Sequence, residues 1–269
     1  MKKILSFLLT YSGKSDIIKI KKVLNDVERL IGYINQPLWE NWYIDKKIGQ
    51  GTYSEIYRIY SGDSVSALKV KPVFAGGLEE VDRKLTVALK EADIMHTLKE
   101  CQYITEYQDC IIQKVSGLQY LVMIRMEILS PLTEQGTHFP ENIVRKIALD
   151  IGKALEYIHS SGIVHCDVKP DNFFVAPDGK YKLGDFNISG YAGNRRYISG
   201  TFGYTAPEVY NNPVYDSRSD IYSFGKSLEN LADSVSPDFS AIIGKACTES
   251  LYERYRTVTE MLTDILIKR

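Results

Sequence analysis

Cysteine is scarce in this 269-residue chain: Cys101, Cys110, Cys166 and Cys247 are the whole set, with no CxxC pair among them. That speaks against a disulfide-stapled scaffold and against a cysteine-rich zinc site. Reduced thiols in the cytoplasm are the expectation. No apolar run approaches the ~20 residues that span a bilayer, so no transmembrane segment is expected. Neither charge is in excess: 33 Lys and Arg face 34 Asp and Glu, a formal net charge of -1. This balance makes no case for a nucleic-acid partner. Internal repeats and low-complexity tracts are also absent. Hydrophobic residues are 44% and charged residues 25%, an ordinary globular composition, and the length suits one large domain or two lobes. Residues 1–10 place two lysines ahead of a short apolar stretch, but residues 11–14 offer no A-x-A-like cleavage site. A short amphipathic surface segment is the simpler reading.

Hydrophobic periodicity divides the rest. Ile17, Ile20, Leu24, Val27 and Ile31 recur at helical spacing behind the capping residue Ser15, predicting a helix over 15–33 in an N-terminal extension, 1–40. Strands are predicted at 42–48, 55–60, 65–70, 104–112 and 120–126, with one helix, 78–98, among them. These form a small, mostly antiparallel region, 41–127. Residues 128–269 are mainly helical. Pro140 opens a helix that runs to about 161, with Gly162 behind it. A hairpin pairs 173–175 with 181–183 across Pro177-Asp178-Gly179. Further helices are predicted at 219–231, 239–247 and 257–267. The fold class is therefore α+β.

Three clusters carry candidate chemistry. Gly49-Gln50-Gly51-Thr52-Tyr53-Ser54 is nearly G-x-G-x-x-G, with Ser54 at the third glycine position. Its place between two strands argues against a dinucleotide-binding turn, which needs a strand and then a helix. A plain hairpin would use such glycines equally well. Lys69 follows on a strand, where an ammonium can bind phosphate oxygens as a point charge, and Glu91 lies on the next helix. The third cluster is His165-Cys166-Asp167-Val168-Lys169-Pro170-Asp171-Asn172, then Asp185-Phe186-Asn187, then Ala206-Pro207-Glu208.

In these motifs, from about Trp42 to the C-terminus, the chain resembles the eukaryotic-type protein kinases. The resemblance implies a bilobal fold, Mg-ATP as phosphate donor and a protein hydroxyl as acceptor. It implies that Gly49 and Gly51, with the small Ser54, close over the phosphates of ATP. Ile48, Ile56 and Ala67 would line adenine from above and Phe174 from below. Met126 would be the gatekeeper, with Glu127 and Leu129 offering backbone hydrogen bonds. Lys69, locked by Glu91, would hold the α- and β-phosphates. Asp167 would accept the substrate proton, Lys169 would neutralise the moving phosphoryl group, and Asn172 and Asp185 would hold Mg²⁺. Lys169 and Thr201 are similar to their counterparts in serine/threonine kinases. Asp220 is expected to hold the catalytic loop, Glu208 to pair with Arg254, and His165 and Phe186 to be packed core residues.

The sequence departs from that pattern at four places. Cys166 replaces the arginine of H-R-D, which removes the clamp for an activation-segment phosphate, so weak dependence on such phosphorylation is expected. A redox role for Cys166 stands beside the reading of an inert buried thiol. Asn187 replaces a glycine; Asn tolerates a left-handed backbone, so the turn is still expected to form, with restricted flipping of Asp185 and Phe186 that favours the active arrangement. Phe174 replaces a commoner leucine, either narrowing the adenine pocket or only repacking it. After the 219–231 helix the next follows almost at once, where the family usually has another helix. The N-terminal helix could cover the surface so exposed, or pack behind the 78–98 helix. Tyr197, Ser199, Thr201, Tyr204 and Thr205 are hydroxyls for autophosphorylation, Ser199 first among them. A separate regulator is compatible with the chain. A scaffold that binds ATP with little turnover is the alternative function. A small-molecule kinase is a third, disfavoured because such enzymes lack the 200–208 segment.

Overall fold

The structure is a computed structural model that describes residue 32 and residues 34–268, except 53, 196–198 and 212. The expected helix at 15–33 falls, apart from residue 32, outside the described residues, as do the 1–10 segment and Tyr197. The described residues form two compact units, one holding those up to Asp93 and Tyr107–Ile128, the other Ile94–Glu106 and those from Leu129 to Lys268.

The first unit is a five-stranded sheet in the order β1-β2-β3-β5-β4. Its strands are β1 (Tyr43–Gln50), β2 (Glu55–Ser61), β3 (Ser64–Phe74), β4 (Tyr107–Ser116) and β5 (Gln119–Met126), and every pairing is antiparallel. Side chains alternate across a strand, so β3 sends Leu68 and Val70 to one face and Ala67, Lys69 and Lys71 to the other. Leu68 and Val70 join Tyr57, Ile59, Leu121, Met123, Ile34 and Leu38 in a buried cluster, with Trp39 and Trp42 packed against it. The Arg125 guanidinium lies 5.0 Å from the Trp39 ring and 4.8 Å from the Trp42 ring, a cation–π arrangement. The opposite face carries the two lysines.

The helix α1 (Leu78–Thr97) buries Val81, Glu91 and Ala92 and exposes Leu78 and Val87. The strand expected over 104–112 begins later, at Tyr107. Residues 103–105 pair instead with Leu183 in the second unit: Thr105 N donates to Leu183 O at 3.0 Å, and Leu183 N to Tyr103 O at 2.9 Å.

In the second unit α2 (Glu141–Ser160) is the central element. Its core positions are Val144, Ile147, Ala148, Ile151, Ala154, Leu155 and Ile158, whereas Ile143 is only half-buried. Pro140 sits just before the helix, its carbonyl accepting from Ile143 and Val144. Gly162 has φ 70°, which a residue with a β-carbon adopts only at a cost, and it ends the helix as expected. The strands β6 (Ser130–Pro131), β8 (Phe173–Val175) and β9 (Tyr181–Leu183) form one small sheet, and β7 (Ile163–Val164) pairs with β10 (Gly190–Tyr191).

The remaining helices are α3 (Glu208–Asn211), α4 (Ser217–Leu231), α5 (Pro237–Ala246) and α6 (Val258–Ile267). Asp216, Ser236 and Thr257 cap the last three through their side-chain oxygens, which moves α4 and α5 two residues earlier than periodicity alone places them. Residues 232–236 join α4 directly to α5 and are stitched to the start of α2. Phe139 N donates to Leu231 O at 2.7 Å and Asp233 N to Phe139 O at 3.1 Å. Ser236 donates through N and Oγ to the Glu141 carboxylate, at 2.5 and 2.9 Å. Among the described residues no helix is long and apolar enough to cross a membrane.

Candidate active site

The first unit contributes a glycine turn and a buried ion pair. Gly49 pairs with Ile56 across β1 and β2, and Ile56 with Lys69 across β2 and β3. Gly51 N donates to Ser54 O at 2.8 Å, and a β-carbon on Gly51 would come within 2.8 Å of Ser54 Oγ. Ser54 is buried, so the third position of the motif closes the turn by backbone bonding rather than by glycine's freedom. Beside it Glu55, fully buried, binds both Lys47 and the Tyr57 hydroxyl and ties the two strands under the turn. Ala67, expected at adenine, pairs with Met126, the expected gatekeeper, across β3 and β5; Ile48 is exposed and Glu127 half-buried.

Lys69 Nζ lies 2.6 Å from Glu91 Oε1, with both side chains buried. Lys71, two residues along the same face, lies 3.1 Å from Glu91 Oε2. The reading of the sequence did not single out Lys71. The signal was present in the alternation of β3, which puts positions 67, 69 and 71 on one side.

The second unit contributes the loop between β7 and β8. His165 is fully buried: its Nε2 is 3.0 Å from Gly184 O, its Nδ1 accepts from Asp167 N at 3.3 Å, and its ring packs edge-on against Phe186 at 4.9 Å. It is a core histidine. Asp220, on α4, accepts from the backbone N–H of His165 at 2.7 Å and of Cys166 at 2.8 Å, and its Oδ2 lies 2.9 Å from His159 Nε2. Full burial pushes this carboxyl up, but the His159 contact and the backbone donors outweigh that and hold it below the usual carboxylate range. With its backbone gripped, Cys166 adopts φ 73° and buries its thiol, Sγ 3.6 Å from Val164 O.

So anchored, the loop gathers the candidate side chains Asp167, Lys169 and Asn172. Thr201 Oγ1 donates to Asp167 Oδ1 at 2.7 Å and accepts from Lys169 Nζ at 2.7 Å. Lys169 Nζ also lies 2.8 Å from Asp167 Oδ2. Asn172, 5% exposed at the end of a 3-10 turn (Pro170–Asn172), donates through Nδ2 to Asp167 O at 2.8 Å and to Oδ2 at 3.2 Å. Committing the amide nitrogen turns the amide oxygen away, as a hard-cation ligand requires. That oxygen and the Asp185 carboxylate are the donor type magnesium takes.

Asp185 has φ 61°, and Phe186 beside it is buried. Asp185 is the left-handed residue of this turn, and Asn187 does not use the left-handed backbone its residue type tolerates. Phe174, on β8, pairs with Lys182 and Pro131, and its ring passes within 2.9 Å of where a β-carbon on Gly184 would sit. Leu129 is half-buried at the start of this unit. In the 199–208 segment Ser199 is half-buried rather than open, and Thr205 Oγ1 donates to Thr201 O at 3.0 Å. Glu208 receives Arg254 bidentately, at 2.7 and 3.1 Å.

Each set is of the residue types that phosphoryl transfer uses. A family model described as "Protein kinase domain" matches residues 42–264, and the chain belongs to that family. It is 27% identical over 234 residues to the probable serine/threonine-protein kinase nek2 of Dictyostelium discoideum, covering 82% of this chain and 55% of that protein. It is 28% identical over 216 residues to the serine/threonine-protein kinase cst-1 of Caenorhabditis elegans, covering 76% and 41%. It is 28% identical over 235 residues to the human dual specificity mitogen-activated protein kinase kinase 7, covering 82% and 51%. The chain spans about half the length of the curated relatives it matches.

Proposed function

We propose that the chain is an ATP-dependent serine/threonine protein kinase. The observation that carries this reading is the Thr201 hydroxyl bridging Asp167 Oδ1 and Lys169 Nζ, both at 2.7 Å. It holds the carboxylate beside a fixed ammonium group. In the loose transition state of phosphoryl transfer, positioning and charge stabilisation matter more than proton removal. Asp167 aligns the acceptor hydroxyl and takes its proton at a carboxylate oxygen. Lys169 offsets charge on the transferring group. Lys69, paired with Glu91, binds phosphate oxygens, and the backbone of Gly49 and Gly51 covers them. Asn172 and Asp185 are the residues that would hold magnesium, which supplies charge neutralisation between the phosphates when bound. Ile48, Ile56, Ala67, Met126, Glu127, Leu129 and Phe174 are the proposed adenine contacts. Serine/threonine preference is supported by Lys169 and Thr201. The substrate is a protein hydroxyl, this chain's own Ser199 included. The free thiols fit a cytoplasmic setting.

Transfer of labelled γ-phosphate from Mg-ATP to the protein itself and to a generic basic protein tests this, with Asp167→Ala as control. Loss of transfer in the control is expected. Absence of transfer in the wild type, with ATP still raising the melting temperature, would favour the scaffold reading instead.

A further inference from the structure

Glu91 is gripped twice. Its Oε1 meets Lys69 at 2.6 Å and its Oε2 meets Lys71 at 3.1 Å, while only 2% of its side chain is exposed. Lys71 Nζ also donates to the carbonyl of Ala88 at 3.3 Å, one helical turn before Glu91. It therefore holds α1 at a side chain and at the main chain together. Its position on β3 is itself locked, through pairing with Val122 of β5. A single lysine touching one carboxylate oxygen leaves the helix free to roll about that contact; two cations on the two oxygens, plus a backbone contact, do not. The neighbouring Cys110 adds no charge, because burial and the carboxylates of Asp109 and Asp93 push its thiol up to about 11.

We propose that Lys71 is a positioning residue for phosphoryl transfer, holding Glu91 and α1 so that Lys69 is presented to nucleotide without help from an activation-segment phosphate. The proposal deepens the kinase reading above and rests on it. Lys69 must share its charge between Glu91 and an incoming phosphate. Lys71 points at the helix and keeps Glu91 in place when Lys69 turns to its ligand. This second tether gives a reason why the chain can do without the arginine that Cys166 replaces.

The test is a double-mutant cycle with two readouts. Lys71→Met is expected to lower kcat/KM for ATP about tenfold in the wild-type background, and Lys71→Arg to recover most of it. In a Glu91→Gln background the same Lys71→Met change is expected to cost less than about twofold more, because both act through one carboxylate. Hydrogen exchange without nucleotide is expected to quicken at the α1 amides of residues 88–92 in Lys71→Met and not in Lys71→Arg. Should Lys71→Met fail to fold, Lys71→Gln takes its place with the same expectations. Wild-type kcat/KM in the variant, or an equal loss in the Glu91→Gln background, overturns the proposal. If the wild type neither transfers phosphate nor is stabilised by ATP, the kinase reading falls. Unchanged α1 exchange would then overturn the tether as well, and quickened exchange would leave it standing without the kinase role.

Discussion

Thr201 donates its hydroxyl proton to Asp167 across 34 positions of sequence, at 2.7 Å, and the same oxygen accepts from Lys169. One hydroxyl thus joins a carboxylate and an ammonium that also meet directly, at 2.8 Å through the other carboxylate oxygen.

Thr201→Ala removes that bridge and leaves Asp167 and Lys169 as a direct pair. A fall in kcat of roughly tenfold to a hundredfold is expected, with KM for ATP little changed. Thr201→Ser keeps the hydroxyl and should retain most of the rate. Steady-state kinetics on the two variants decide this; equal losses in both would mean that the methyl group, not the hydroxyl, matters.

Asp220 is the anchor of the same loop, and its carboxyl is held below the usual range in the folded state. A depressed folded-state pKa contributes stability above the unfolded value of about 3.9, lost as pH falls through the folded value. The melting temperature should therefore fall on acidification below about pH 4, in part through this group. Asp220→Asn should cost on the order of 2–3 kcal/mol at neutral pH, by weakening charged hydrogen bonds to His165 and Cys166. The variant's melting temperature should also depend less steeply on pH in that acidic window.

Cys166 is buried, with its sulfur against the carbonyl of Val164. Mild peroxide is expected to leave activity unchanged, and Cys166→Ala to stay within about threefold of wild type. Phosphatase-treated enzyme should remain active, since Cys166 offers no guanidinium to bind an activation-segment phosphate. Loss of activity on dephosphorylation, measured on protein of known phosphorylation state, would count against this.

Arg254 is fully buried as a side chain and bonds both oxygens of Glu208 and the carbonyls of Arg218, Thr248 and Glu249. Arg254→Met removes these bonds and leaves Glu208 without its cation, and should destabilise the fold by about 3–5 kcal/mol in denaturant unfolding. Arg254→Lys should recover little, because an ammonium cannot supply the planar fork.

Much of this protein is local enough to be legible in its residues. The hairpin Phe173–Val175 with Tyr181–Leu183 follows from Pro177-Asp178-Gly179, and the buried stripe of α2 from its 3.6-residue period. The residues Lys69, Glu91, Asp167, Asn172 and Asp185 are recognisable because, in order and spacing, they match the motif set of the protein kinase family. Other features depend on partners distant in the chain. The two-residue strands β6, β7 and β10 have no period to read and exist only because another segment lies alongside. Residues 103–105 look like strand, yet they hydrogen-bond to Leu183 and so delay β4 to Tyr107. The positive φ falls on Cys166, whose backbone Asp220 grips, and on Asp185, and not on Asn187, whose residue type tolerates it. Lys71 is an ordinary strand lysine until α1 packs over β3 and puts Glu91 between it and Lys69. Spacing and residue type alone determined the chemistry available to this chain and the order of its elements. Which side chains share a carboxylate, and which backbone turns left-handed, was decided by packing, because those outcomes depend on energies between residues that only folding brings into contact.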